Sequence, residues 1–258
     1  MALTTLHSHR RSPSLGIAGR PHPGDDPVAR LGQWLAVTTG LLTLVSFGLA
    51  LTALPDKVPY PFTADVIVEQ WPGDYLWMYP AMLLMVAFVA LLAVVQHHTR
   101  PAAKVYSLIG LVLGSMSASV LLVDYYLQAT VMQVSLEKAQ LDGWAMLTQY
   151  NPNGVFIALE ELGYLLMSLA LLCLVPVFTS ATRPERILRV LLPVSSTAVV
   201  AGLVGVTIAR GMDRGDVFEI LVITVVWTTL IVAGGLLAAV FHRARRLPSP
   251  EEPTGAVR

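Results

Sequence analysis

The sequence predicts an all-α integral membrane protein, a bundle of six transmembrane helices with both termini in the cytoplasm. Of its 258 residues, 55% are hydrophobic and 13% are charged, whereas a soluble domain carries about a quarter charged residues. Six apolar runs are each long enough to cross the hydrocarbon core of a bilayer, which takes about 20 helical residues. This composition excludes a soluble enzyme, and a formal net charge of zero argues against a nucleic-acid partner.

The six apolar runs are numbered spans 1 to 6 in chain order. Only helices and closed barrels satisfy the backbone hydrogen bonds inside lipid, and these runs are too long and continuous for barrel strands. They form a predicted transmembrane domain over residues 31–246, flanked by disordered cytoplasmic tails at 1–30 and 247–258. The predicted spans are 31–53, 75–96, 105–132, 154–178, 190–209 and 220–241.

The basic residues predict the orientation. Thirteen of the seventeen Lys and Arg residues fall before span 1, after span 6 or in the links 97–104 and 179–189, and the positive-inside rule places these segments in the cytoplasm. The two longer loops, 54–74 and 133–153, then lie outside, where they can dock a protein partner. Arg outnumbers Lys by 14 to 3, which is typical of a bacterial protein from a GC-rich genome, so the expected location is the bacterial inner or plasma membrane.

Three acidic residues lie within the predicted spans: Asp124 in span 3, and Glu160 and Glu161 in span 4. A charged side chain at the bilayer centre costs about 2.5–3.5 kcal/mol even on lenient insertion scales, and such residues usually face the bundle interior and serve a function. At about 1.5 Å per helical residue, Asp124 lies roughly 12 Å, and Glu160 roughly 9 Å, from the outer end of its span. The two carboxyls are therefore predicted at similar depth in the outer half of the membrane.

Helical spacing places further polar residues beside these acids. On span 3, Gln128 follows Asp124 by four residues, and on span 4, Tyr164 follows Glu160 by four residues, so each pair shares a helix face. The two polar stripes predict one polar pocket between spans 2, 3 and 4, open to the outside. The residues predicted to bind a ligand there are Asp124, Gln128, Glu160, Glu161, Tyr164, Tyr125, Trp77 and Tyr79.

The favoured function is binding or passage of a small ligand, ion or lipid at this pocket. A second hypothesis is an enzyme that modifies a lipid or isoprenoid within the membrane, with Asp124, Glu160 or Glu161 as catalytic acid and base. A third is a non-catalytic subunit or assembly factor, in which the acids only fix helix packing. No histidine or lysine lies mid-membrane and the one cysteine, Cys173, has no partner, so neither a metal nor a cofactor is predicted.

Two stretches resemble known families. The block QYNPNGVFIALEELGYLLMS at 149–168, with DYLWMYP at 74–80 and DYYLQ at 124–128, resembles an uncharacterised family of prokaryotic multi-pass membrane proteins, which implies a shared bundle and no known activity. The string EELGY at 160–164 is similar to the paired acids of CAAX-type intramembrane proteases, but it lacks the Arg that follows them there, which excludes that interpretation. It is also similar to the paired acids of the carotenoid lycopene-cyclase domain, a resemblance that implies protonation of an isoprenoid double bond.

Overall fold

The computed structural model describes residues 26–52, 64–214 and 217–245. Within these ranges the chain is helical without strands, and six helices are long and apolar enough to cross a membrane. The predicted all-α bundle of six spans is thereby confirmed. The main helices of spans 1 to 6 are Pro27–Thr52, Met78–His98, Lys104–Leu127, Val155–Cys173, Arg183–Arg210 and Val217–Ala244.

Shorter elements occupy the links. Single 3-10 turns at Gly73–Tyr75 and Val175–Val177 precede span 2 and follow span 4, and a third, Pro101–Ala103, leads into span 3. Short α-helices lie at Ala64–Val68 and Trp144–Leu147, both in loops predicted to be outside. Most residues of the predicted tails, 1–25 and 246–258, and residues 53–63 of the first outer loop lie outside the described ranges.

Span 5 begins seven residues before its predicted start. Thr182 accepts a hydrogen bond from the Glu185 backbone N–H, while the Glu185 carboxylate accepts one from the backbone N–H of Thr182. This capping box, with Pro184 in the first turn, fixes the helix start. Span 1 likewise begins early, at Pro27. Hydropathy missed both first turns because charged residues occupy them.

Span 3 is longer than predicted and changes its helix type. Its α-helix ends at Leu127, a π-helical segment follows over Gln128–Met132, and α-helix resumes over Gln133–Glu137. The π segment begins four residues after Asp124. Short π segments inside α-helices occur frequently at functional sites.

Spans 1, 2, 3, 4 and 6 form a ring in which each packs on the next, and span 5 packs on spans 4 and 6. Glycines allow the closest approaches. A Cβ atom built on Gly234 of span 6 would lie 2.8 Å from the carbonyl oxygen of Ala36 in span 1, and one on Gly110 of span 3 would lie 3.1 Å from the carbonyl oxygen of Ala170 in span 4. Spans 1 and 6, and spans 3 and 4, are therefore in backbone contact.

One end of the bundle is called the predicted outer end below. Spans 1, 3 and 5 finish there, and spans 2, 4 and 6 begin there. The described residues 64–74 and the loop 133–153 belong to this end. Its assignment to the outside of the cell stays a prediction from the distribution of basic residues.

Candidate functional site

Three carboxyl groups from three different spans lie within electrostatic range of one another, in the half of the bundle nearer the predicted outer end. Asp124 comes from span 3, Glu160 from span 4 and Glu219 from the first turn of span 6. Asp124 is 2% exposed, Glu160 is fully buried, and Glu219 is half-buried. Glu219 lies close enough to interact electrostatically with both other acids, and Asp124 with Glu160. These three residues are called the carboxyl cluster.

A chain of hydrogen bonds leads into the cluster from span 6. The Trp227 indole N–H donates to the Tyr164 hydroxyl at 2.9 Å, the hydroxyl oxygens of Tyr164 and Tyr125 lie 2.6 Å apart, and Tyr125 donates to Oε1 of Glu160 at 2.8 Å. Because the Tyr125 hydrogen points to Glu160, Tyr164 must donate to Tyr125. The Trp77 ring packs edge-on against Tyr125, with 5.0 Å between ring centroids. This tyrosine chain comprises Trp227, Tyr164 and Tyr125.

Two oxygens of the carboxyl cluster lack a hydrogen-bond partner. They are Oδ2 of Asp124 and Oε2 of Glu160, and both are buried. Buried polar atoms in proteins nearly always have a partner, so each exception calls for a bound proton, ion or water. An ionised carboxylate without a compensating cation is too costly inside a membrane.

The second acid of span 4 has a different environment. Glu161 forms an ion pair with Arg214, which lies in the link between spans 5 and 6; the Arg214 Nε–H also donates to Glu161 Oε1 at 3.2 Å. These hydrogen bonds raise the pKa of Arg214 above its usual value. Consecutive helical residues differ by about 100° in direction, so Glu161 faces the link while Glu160 faces the bundle interior.

Of the remaining predicted ligand-binding residues, one lies beside the tyrosine chain and two lie away from it. Trp77 is buried against the tyrosine chain. Gln128 is 2% exposed, but its amide holds the following loop, donating to the Leu147 carbonyl at 2.6 Å and accepting from the Gln149 backbone N–H at 3.2 Å. Tyr79 is 43% exposed and lies on the surface of span 2. The structure thus groups Asp124, Glu160, Tyr125, Tyr164 and Trp77, and places Gln128, Glu161 and Tyr79 around them.

Sequence reasoning missed Glu219, Trp227 and Arg214. Glu219 was predicted to lie in the outer loop because span 6 was predicted to begin at residue 220, whereas its helix begins at Val217. Trp227 follows Glu219 by eight residues, slightly more than two helical turns, so both share one side of span 6. The spacing of this acid and this tryptophan is the sequence feature that could have indicated that span 6 contributes to the site.

The described residues give no evidence for the predicted pocket that opens to the outside. Glu160 and both tyrosines of the chain have no exposed surface, whereas Glu219 is half-buried, so the inner part of the cluster is closed and its span 6 member reaches the surface. A cavity of about 20 Å³, room for roughly one water molecule, lies nearer the other end of the bundle. Leucine, valine, phenylalanine, alanine and glycine line it, together with Thr39. Among the described residues, no group of three His, Cys, Asp or Glu side chains is arranged to hold a metal ion.

Removal of one hydroxyl tests the tyrosine chain. Tyr125→Phe removes the hydroxyl that donates to Oε1 of Glu160 and accepts from Tyr164, and we expect it to lower the free energy of unfolding by about 1–3 kcal/mol. The neighbouring Tyr126 is 58% exposed, so Tyr126→Phe is the matched control and should change little. Unfolding of the detergent-purified variants in SDS measures both; equal values would contradict the hydrogen bond to Glu160.

Comparison of the chain with protein-family models, with curated proteins and with solved structures finds no match. The resemblance of residues 149–168 to a family of multi-pass membrane proteins therefore stays a prediction. The six spans identify a multi-pass membrane protein, and its activity has to be inferred from the carboxyl cluster.

Proposed function

We propose that this multi-pass membrane protein binds and passes a small cation at the carboxyl cluster, and that the cation is the proton. The observation that carries the proposal is the convergence of Asp124, Glu160 and Glu219 from three spans, with two buried oxygens that have no hydrogen-bond partner. Acidic residues that face each other within a membrane bundle are typical of proton relays.

The size of the site favours the proton over other ligands. Glu160 is fully buried and packed, so a lipid or isoprenoid has no room beside it in this conformation. A metal ion requires several oxygens turned toward one point, and the described side chains offer no such group. The hydroxyls of Tyr125 and Tyr164 can each accept and donate, so they can rearrange when Glu160 gains or loses a proton.

Proton flux into liposomes tests the proposal. Protein reconstituted with a pH-sensitive dye inside the vesicles is driven by a potassium gradient and valinomycin. We expect Glu160→Gln and Asp124→Asn each to lower the flux at least about tenfold, because each removes a proton-binding group from the cluster. Glu137 is exposed, so Glu137→Gln is the matched control and should conduct like the wild type.

Two outcomes would overturn this function. One is wild-type flux no higher than that of empty vesicles. The other is undiminished flux in both Glu160→Gln and Asp124→Asn. A lipid-modifying enzyme would instead show a changed lipid in cells that express the wild type, and a subunit would show a protein that co-purifies through the loops 54–74 or 133–153.

A further inference from the structure

A second buried polar group lies between the carboxyl cluster and the predicted outer end. Asp74 and Tyr75 come from the 3-10 turn before span 2, Gln133 from the end of span 3, and Gln149 and Tyr150 from the loop before span 4. Tyr75 is fully buried, Gln133 is 7% exposed and Asp74 is 8% exposed. These five residues are called the entry group.

Three polar atoms of the entry group lie near one another without forming well-aligned hydrogen bonds. The side chains of Gln133, Gln149 and Tyr150 lie within hydrogen-bonding range of the Tyr75 hydroxyl, but their geometry leaves the Tyr75 hydroxyl and the amide nitrogens of Gln133 and Gln149 buried without a well-formed hydrogen bond. Three such atoms around one point are the arrangement that buried water molecules bridge, since a buried water typically makes about three hydrogen bonds.

The acidic member of the entry group, Asp74, accepts a hydrogen bond from a tyrosine. Tyr150 donates its hydroxyl hydrogen to Oδ2 of Asp74. Burial, with the neighbouring Tyr75 and Asp74, raises the pKa of Tyr150 well above its usual value, so this hydroxyl keeps its proton. Asp74 therefore has a permanent donor on one oxygen and is the acidic residue of the entry group.

Gln128 connects the entry group to the carboxyl cluster. Its side-chain oxygen accepts from the Gln149 backbone N–H, and it begins the π segment of span 3 four residues after Asp124. One helical turn, about 5.4 Å along the axis, therefore separates Gln128 from Asp124, whose Oδ2 is itself buried without a partner. Gln128 thus joins the backbone of Gln149 to the helical turn that follows Asp124, and Asp124 interacts electrostatically with Glu160.

Toward the other end of the bundle the surroundings of the cluster are apolar. The cavity of about 20 Å³ there is lined by residues such as Phe88 and Leu92 of span 2, Leu171 of span 4 and Leu230 of span 6. Among the described residues, Thr39 supplies the one polar side chain of this lining, and its hydroxyl is buried without a hydrogen-bond partner, whereas a buried water typically makes about three hydrogen bonds. The entry group therefore offers water more polar partners than this cavity does.

We propose that the entry group is a water-filled half-channel that carries protons between the predicted outer end and the carboxyl cluster. This inference rests on the proposed function for the identity of the transported ion. The water path itself rests only on the unpaired atoms of Tyr75, Gln133 and Gln149 and on their link to Asp124 through Gln128.

Leucine substitutions test the path by flux. Gln133→Leu and Gln149→Leu replace the unpaired amides with apolar groups of similar size, which removes the partners that hold water. We expect each to lower proton flux at least about fivefold, while Gln140→Leu, at an exposed position of the same loop, conducts like the wild type. Wild-type flux in both variants, together with a loss in Glu160→Gln, would overturn the half-channel and leave the proposed function standing.

Cysteine reactivity tests the water path without any flux. In a Cys173→Ser background, Gln128→Cys and Gln149→Cys should react with Ag⁺ added to the medium, whereas Leu171→Cys and Leu230→Cys in the apolar cavity should stay unreacted. If the wild type carries no proton flux, the proposed function fails and this reactivity alone decides the path. Unreactive Gln128→Cys and Gln149→Cys would overturn it.

Discussion

Gly234→Val is expected to destabilise the bundle by about 3 kcal/mol or more, the upper end of the usual cost of overpacking. A Cβ atom at this position would lie 2.8 Å from the Ala36 carbonyl oxygen and 3.0 Å from the Gly40 Cα. Both atoms belong to the backbone of span 1, so no side-chain rotation relieves the clash. Spans 1 and 6 would have to move apart along a packed interface.

The adjacent glycine provides the control. Gly235 is exposed, and a Cβ atom built on it meets nothing within 4 Å, so Gly235→Val should change stability by less than about 0.5 kcal/mol. Thermal unfolding in detergent compares the two variants. An equal loss of stability in both variants would mean that valine destabilises span 6 for a reason other than its contact with span 1.

The same clash should reach the functional site. Trp227 lies about two turns from Gly234 on span 6, and its indole donates the first hydrogen bond of the tyrosine chain. A displaced span 6 also carries Glu219 away from Glu160. We therefore expect Gly234→Val protein that still folds to lose proton flux together with stability.

The number and type of the spans could be predicted because lipid imposes one simple requirement. A crossing segment needs about 20 apolar helical residues, and the six runs meet it. Helix ends follow other rules: the capping box at Thr182 and Glu185 starts span 5 among charged residues that hydropathy assigns to a link. The π segment at Gln128 has no compositional signal of its own.

Two of the three acids of the candidate site could likewise be predicted from the sequence. The cost of burying a charge singles out Asp124 and Glu160 from one sequence, and their placement in consecutive spans suggests that they are neighbours. The contribution of span 6 depends on which helices close the ring, and the contacts of Trp227 and Glu219 join residues far apart in the chain. Helix periodicity in one sequence does not select such partners.

Arg214→Gln is the second substitution with a large expected effect. The guanidinium pairs with Glu161, and the two side chains are only 16% and 11% exposed. Breaking a fully buried ion pair costs about 3–5 kcal/mol because the remaining charge stays uncompensated. We expect about 2–3 kcal/mol here, since part of each side chain reaches solvent.

A second substitution separates the lost charge from lost packing. Glu161→Gln added to Arg214→Gln removes the uncompensated carboxylate, so the double variant should regain most of the free energy of unfolding that Arg214→Gln loses. Arg210→Gln, at the exposed last residue of the span 5 helix, is the control and should cost less than about 0.5 kcal/mol. SDS unfolding of the wild type, Arg214→Gln, Glu161→Gln and the double variant forms a double-mutant cycle. A double variant no more stable than Arg214→Gln would show that the arginine acts through its packing on Phe218, whose ring centre lies 5.9 Å from the guanidinium carbon, rather than through Glu161.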